Sequence, residues 1–287
     1  MAHSALIVPL ASILMISGLQ GFLVDDQDVI DNLRVGSFNV KWFDVAKSAN
    51  QDVMRILSQI IQRYDVMLMI EIRDDHQQTA MNRLWTLVNQ TAPFGLSLSG
   101  FLGRYPDFYT EQYGFFYRLS SVSLEGTYQY NDSLHNEFER EPYSASFRRL
   151  APGSVGLPFI ASHIQPKNAR VEMAHMTEVV DAVKAHFSSA NVVVMGDLNA
   201  DCSYMSASDL ATTPLRNSTV FTWLIPDSAD TTMSTYTDCA YDRIIVTKGL
   251  RYSNAGVFYF DQAYNLTYNQ ASAVSDHYPV ETVFLGQ

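Results

Sequence analysis

Two stretches of this chain hold short apolar runs that end on polar groups: "DVMLMIE" (Asp65 to Glu71), and "VVVMGDLNADCSY" (Val192 to Tyr204), which is apolar from Val192 to Met195 and then turns polar; "LPFIASHI" (Leu157 to Ile164) reads as a strand beside them. A strand with one wet face alternates, and an amphipathic helix repeats every three to four residues. A short unbroken apolar run is instead a strand covered on both faces. This feature constrains the fold more than any other, because such a sheet needs a packed layer on each side.

The remaining periodicities supply those layers. "LRVGSFNV" (Leu33 to Val40) reads as a further strand. Val53, Ile56, Leu57, Ile60 and Ile61 recur at helical spacing, with Asp52 near the start as a candidate cap. A helix is expected around Gln77 to Val88, and a long one over Ala169 to Phe187 presents Met176, Val179, Val180, Val183 and Phe187 on one face. "YGFFYR", "VSLEGTYQY" and "SASFRRL" read as strands between them, and "YDRIIV", "AGVFYF" and "YPVETVFL" as late strands. Strands alternating with helices give an α/β or α+β layered domain of mixed sheets with outer helices.

No linker of Pro, Gly and Ser divides the 287 residues, and no repeat of solenoid period is present. Residues 22–287 therefore read as one domain. Residues 1–21 stand apart, because Ala5 to Leu19 is uncharged and too short to span a bilayer comfortably. The stretch has the form of a secretory signal core, although the usual basic residues are replaced by His3 alone; a buried N-terminal element is the alternative. Secretion would put Cys202 and Cys239, the only two cysteines, in an oxidising compartment. A bridge between them would stabilise the fold by about 3–4 kcal/mol through chain entropy; two buried thiols are the other reading. Sequons at Asn89, Asn131, Asn217 and Asn265 fit an extracellular chain. The net charge of −11 argues against a polyanionic partner, unless divalent cations neutralise a carboxylate-rich cleft.

Polar residues gather at strand ends. Asn39, Glu71, His163, Asp197, Asn199, Asp242 and His277 all fall at or just beyond one. Any one of them suits a turn or a cap, but the set is hard to ascribe to turn chemistry, and ligands of open α/β sheets collect at such edges. The motifs carrying these residues are "SFNV", "EIRD", "YTEQY", "EREP", "SHIQP", "MGDLNADCSY", "WLIPDSADTT", "CAYDRI" and "SDHYPV". Their order resembles that of the secreted deoxyribonuclease I family, within the endonuclease/exonuclease/phosphatase superfamily. The resemblance runs from about Leu33 to Leu285, and "GDLNADCSY", "WLIPDSADTT" and "SDHYPV" are its most specific parts. It implies a four-layer sandwich, two packed mixed β-sheets flanked by helices, with the site along one edge.

The resemblance also implies a reaction: metal-dependent hydrolysis of DNA phosphodiester bonds to 5′-phosphate and 3′-hydroxyl ends by a secreted monomer. Such cleavage needs an activated water, a proton for the departing oxygen and positive charge on the phosphoryl group. A histidine steadied by a carboxylate does the proton work near neutral pH. By resemblance, His277 with Asp242 activates water and His163 with Glu111 protonates the 3′ oxygen. Asn39, Glu71, Asp197, Asn199 and Asp276 supply oxygen and amide ligands of the kind that hold Mg²⁺, with Mn²⁺ a further candidate. Arg73 and Tyr109 match a minor-groove pair; Arg140 and Tyr204 match phosphate contacts, with Tyr241 adjoining Asp242. Lys41 stands where some members carry Arg, keeping charge but losing the bidentate fork.

Two loops resemble the family's structural Ca²⁺ sites with departures. Asp230 and Thr232 transfer as ligands in "DSADTTMSTYTDC", which carries one extra residue before Cys239. In "YNDSLHNEFEREP", Asp132, Phe138 (through its carbonyl) and Glu141 match, but Asn136 replaces an acid, which weakens a calcium site. "GRYPDFYTEQY" is longer than the family pattern. Two rival readings remain at this stage. A phospholipid or inositol-phosphate phosphodiesterase would share the metal and histidine core but not the DNA contacts. A non-enzymatic actin-binding relative would not need that core, and Phe94 to Phe101 carries no clear actin signal.

Overall fold

The computed structural model describes residues 32–74, 77–104 and 110–286. The expected signal segment and Tyr109 lie outside them. Among the described residues no helix is long and apolar enough to cross a membrane.

Among the described residues, twelve strands form two six-stranded sheets. The first runs β11(Tyr252–Val257), β12(Val280–Phe284), β1(Leu33–Phe43), β2(Val66–Ile72), β4(Gln112–Arg118), β3(Phe94–Leu98). The second runs β5(Val122–Gln129), β6(Tyr143–Arg149), β7(Leu157–His163), β8(Val193–Asp197), β10(Asp242–Thr247), β9(Phe221–Trp223). Helices α1(Gln51–Gln62) and α2(Thr79–Val88) cover the first sheet, and α3(Ala169–Phe187) covers the second.

The unbroken apolar runs follow from this layering. Successive strand side chains point to opposite faces. In β2, Val66, Leu68 and Ile70 face the core between the sheets, while Met67 and Met69 face the helices. In β8, Val193 and Met195 point inward and Val194 outward to α3, where it meets Met176, Val179 and Val183. Both parities are buried, so neither can be polar. The two sheets and their helices form the four-layer sandwich, as expected.

Some local details differ from expectation. The cap of α1 is Asn50, whose side chain accepts from the backbone N–H groups of Asp52 and Val53 at 3.1 and 3.2 Å; Asp52 sits in the first turn instead. The strand expected in "AGVFYF" stops at Val257, because Phe258 leaves the sheet and Phe260 opens a short helix whose ring packs on Phe38. The short strands β3 and β9 carry too few residues to show a period. Cys202 and Cys239 are bridged, 37 positions apart with Cα atoms 5.9 Å from each other, which decides against the two free thiols.

Candidate active site

Register puts the chemistry on one rim. β7 and β8 are parallel with His163 opposite Asp197, and antiparallel β10 begins with Asp242 opposite the same Asp197. Three neighbouring strands therefore offer His163, Asp197 and Asp242 in a single row. Gly196 permits the close fit of β7 and β8: its φ is +141°, and a Cβ there would lie 1.9 Å from the Ser162 carbonyl oxygen. In the other sheet, parallel β1 and β2 bring Asn39 and Glu71 to the same edge. Glu111 enters just before β4, and Asp276 and His277 lie just before β12.

The two sheets meet at Asp197. The Asn39 Nδ2 group donates to Glu71 Oε1 at 2.8 Å and to Asp197 Oδ2 at 3.1 Å, while Asn39 Oδ1 accepts from the Lys41 N–H at 2.9 Å. Asn39 thus presents its donor face to the carboxylates and clamps them. The Nε2 atoms of His163 and His277 lie 3.8 and 3.7 Å from Asp197 Oδ2, so both rings face one carboxylate oxygen. Their Nδ1 atoms face the expected acids, Glu111 at 2.8 Å and Asp242 at 2.7 Å. Asn199 turns its amide to the Ile164 carbonyl at 2.9 Å, and its N–H donates to Asp197 Oδ1 at 3.0 Å. Asp276 is half-exposed and pairs with Lys41 at 2.7 Å.

The backbone around this rim is strained. Lys41, Trp42, Glu71, Asn199 and Cys202 all have positive φ, between 44° and 62°. Such conformations cost about 1–3 kcal/mol each away from glycine and survive where packing over-determines them. Four groups outside the expected set hold the geometry. Lys47 Nζ donates to the Val40 and Lys41 carbonyls at 2.6 and 2.7 Å, bracing the bend in β1. Ser275 Oγ donates to the Asn39 carbonyl at 2.6 Å and accepts from the His277 N–H at 3.1 Å. Thr231 Oγ1 accepts from the N–H groups of Tyr241 and Asp242, each at 3.1 Å. The Tyr113 hydroxyl accepts from the His163 N–H at 2.9 Å. Ser275, Thr231 and Tyr113 lie inside the quoted "SDHYPV", "WLIPDSADTT" and "YTEQY" motifs; Lys47 carries no sequence signal of its own.

Electrostatics separate the two histidines. Burial and the Arg140 guanidinium oppose protonation of His163, but Glu111 and Asp197 outweigh them and raise its pKa. Burial pushes Glu111 up, yet His163 and Arg140 pull it below its ordinary value. Burial also opposes protonation of His277, but Asp242, Asp197 and Asp276 lift it to about 10. Burial pushes Asp242 up to about 6. That pair holds one proton, and with Asp197 also facing the ring the proton rests on the imidazole. Burial pulls Lys47 down to about 8 despite Asp276 and Glu71 nearby.

Asp197, Asp242 and His277 offer ligand atoms within 4.8 Å of one another. Two like charges about 4 Å apart repel by about 4 kcal/mol at an effective dielectric of 20. A hydrogen bond such as the Asn39 clamp returns only about 0.5–1.5 kcal/mol net. Glu71 and Asp197, which share that clamp, offer hard oxygens of the kind that suit a divalent cation.

Of the expected contact residues, Lys41, Arg73, Arg140, Tyr204 and Tyr241 fall among the described ones. Arg140 donates to Glu111 at 3.0 Å and is largely buried behind it. Tyr204 and Tyr241 stack with ring centroids 5.1 Å apart, and Tyr241 lies 6.4 Å from the His277 ring. Arg73 sits 5.2 Å over the exposed Trp42 ring, which sequence reading passed over. Farther out, Asp230 Oδ1 accepts from both the N–H and the hydroxyl of Thr232 at 3.0 Å, so the two expected loop ligands meet. Asp132, the Phe138 carbonyl and Glu141 also converge, on the side chain of Arg104.

The endonuclease/exonuclease/phosphatase family model matches residues 36–277. Deoxyribonuclease-1 of Bos taurus is 38% identical over 261 residues, covering 87% of this chain and 91% of that protein. The chain belongs to the deoxyribonuclease I family. Deoxyribonuclease-1-like 2 of Mus musculus is 38% identical over 259 residues, covering 88% of this chain and 91% of its own length. The fold recurs at greater distance: an endonuclease/exonuclease/phosphatase structure from Bacteroides vulgatus superposes with a TM-score of 0.64 at 17% identity, covering 89% of this chain and 99% of that one.

Proposed function

We propose that this family member is a secreted, divalent-metal-dependent endonuclease that hydrolyses DNA phosphodiester bonds to 5′-phosphate and 3′-hydroxyl ends. The observation that carries the reading is the pair of carboxylate-backed imidazoles aimed at one oxygen of Asp197. His277 takes the proton of the attacking water through Nε2 while Asp242 holds Nδ1 and supports the charge that forms. His163, steadied by Glu111, delivers a proton from Nε2 to the departing 3′ oxygen. Both are positioned on the same side of the rim, so water and leaving group are handled across one phosphate.

Glu71 and Asp197, with Asp276 and Asn199 at their flanks, would hold the cation, with Mg²⁺ the first candidate and Mn²⁺ the second. When bound, the ion supplies Lewis-acid stabilisation of the phosphoryl charge. A cation held there would offset the carboxylates that raise the His277 pKa, and so would leave that ring able to accept the proton of water. Arg73, Lys41, Tyr204 and Tyr241 contact the DNA, and Trp42 extends their surface beside Arg73. The Cys202–Cys239 bridge suits an oxidising, extracellular compartment.

Incubating the purified protein with supercoiled plasmid, with Mg²⁺ or with chelator, tests the reading. Nicking that needs metal, with no comparable turnover of sphingomyelin, is expected. Absence of nicking near neutral pH, or preference for the lipid, overturns it.

A further inference from the structure

The loop between β5 and β6 is built around a positive charge that belongs to the chain itself. Each nitrogen of the Arg104 guanidinium donates into this loop. Nε donates to the Phe138 carbonyl and one terminal nitrogen to Asn136 Oδ1. The other terminal nitrogen donates to Asp132 Oδ2 at 2.6 Å and Glu141 Oε1 at 3.3 Å. The backbone N–H of Arg104 adds a contact to Glu139 Oε1 at 3.1 Å. The acceptors are not a loose surface cluster. The Asp132 side chain is 1% exposed, and its Oδ2 also accepts from the Phe138 N–H at 2.8 Å. Asn136 is held in a left-handed conformation with φ 57°, and its N–H donates to the Asp132 carbonyl at 2.9 Å.

Asp132, the Phe138 carbonyl and Glu141 are the oxygens that the family resemblance assigns to a calcium ion. Calcium takes oxygen ligands at about 2.3–2.6 Å, and a guanidinium meeting the same oxygens fills the space the ion would need. The two cations exclude each other, and the residues present do not fit a resident calcium while Arg104 is seated. We propose that Arg104 is the permanent cation of this loop, closing residues 131–142 without calcium. A guanidinium stays charged at any relevant pH. Being tethered, it binds without the translational cost of capturing a free ion. The same loop runs on through Arg140 to Glu111, so closing it also positions the acid behind His163.

The test is hydrogen exchange of the peptide covering 131–142 in the full-length protein, with excess calcium and with chelator. It reads protection rather than turnover, so its outcome is separate from that of the nuclease reading. Wild-type exchange is expected to be the same in both conditions. In Arg104→Ala the same amides should exchange about tenfold faster or more in chelator, the scale of a lost charge-assisted hydrogen bond. The β8 peptide should stay protected in that variant, showing that the fold is kept. Calcium slowing the wild-type loop tenfold, or wild-type exchange in the chelated variant, overturns the proposal. If the variant does not fold, the wild-type comparison decides alone.

Discussion

His163 and His277 face the same oxygen of Asp197 and are backed by carboxylates at almost the same distance, 2.8 and 2.7 Å, but their surroundings differ in charge. Behind Glu111 stands Arg140, so the first pair is part of an alternating row of charges. Asp242 has the Thr231 hydroxyl beside it, and the His277 ring that it backs looks out on Asp197 and Asp276. The first pair is nearly balanced by its own residues, while the second is over-supplied with negative charge. Similar side chains thus hold their protons differently through what lies behind them.

Substitution of the acids should expose this difference most strongly. Asp242→Asn is expected to lower plasmid nicking by about 10⁴-fold, the scale seen when a histidine loses its tautomer-fixing carboxylate. Glu111→Gln should cost less, about 10²–10³-fold, within the range of one acid–base group. Equal losses would remove the asymmetry. Arg140→Gln should act on one histidine only. A guanidinium near an imidazolium disfavours the charged ring, so its removal raises the His163 titration point while leaving that of His277 in place. NMR titration of the imidazole resonances checks this, and movement of both rings would mean the pairs are not electrically separate.

The smallest effect on activity is expected from the bridge. Cys239 accepts through its carbonyl from Thr231, which in turn holds the Asp242 N–H, so the disulfide buttresses the second pair alone. Cys202→Ser with Cys239→Ser should lower stability by about 3–4 kcal/mol, read as a lower urea midpoint. Nicking by the folded fraction should fall by less than about tenfold, a loss carried by the second pair alone.

What could be read from the sequence was whatever both faces of a strand or one face of a helix impose. Val66 to Ile70 and Val192 to Met195 had no parity left for polar groups, which forces cover on both sides. Residues just past those strands had to be on an edge, and the motif resemblance supplied their partners. The cap at Asn50 was displaced by two positions, because Asp52 is equally apt chemically and only backbone geometry chooses. The donor face of Asn39 was hidden, since an amide reads as ligand or clamp until the Lys41 N–H fixes its orientation. Arg104 was hidden more deeply: its partners lie about 30 residues away across a lengthened loop, and no period marks a lone arginine as the centre of an oxygen cage.

The central claim is that both imidazoles act on one phosphate beside Asp197. The most direct measurement is metal-supported plasmid nicking by His163→Ala and His277→Ala, each with far-ultraviolet circular dichroism matching wild type. The account predicts that each variant alone loses about 10²–10⁴-fold. Wild-type nicking by either folded variant would contradict it.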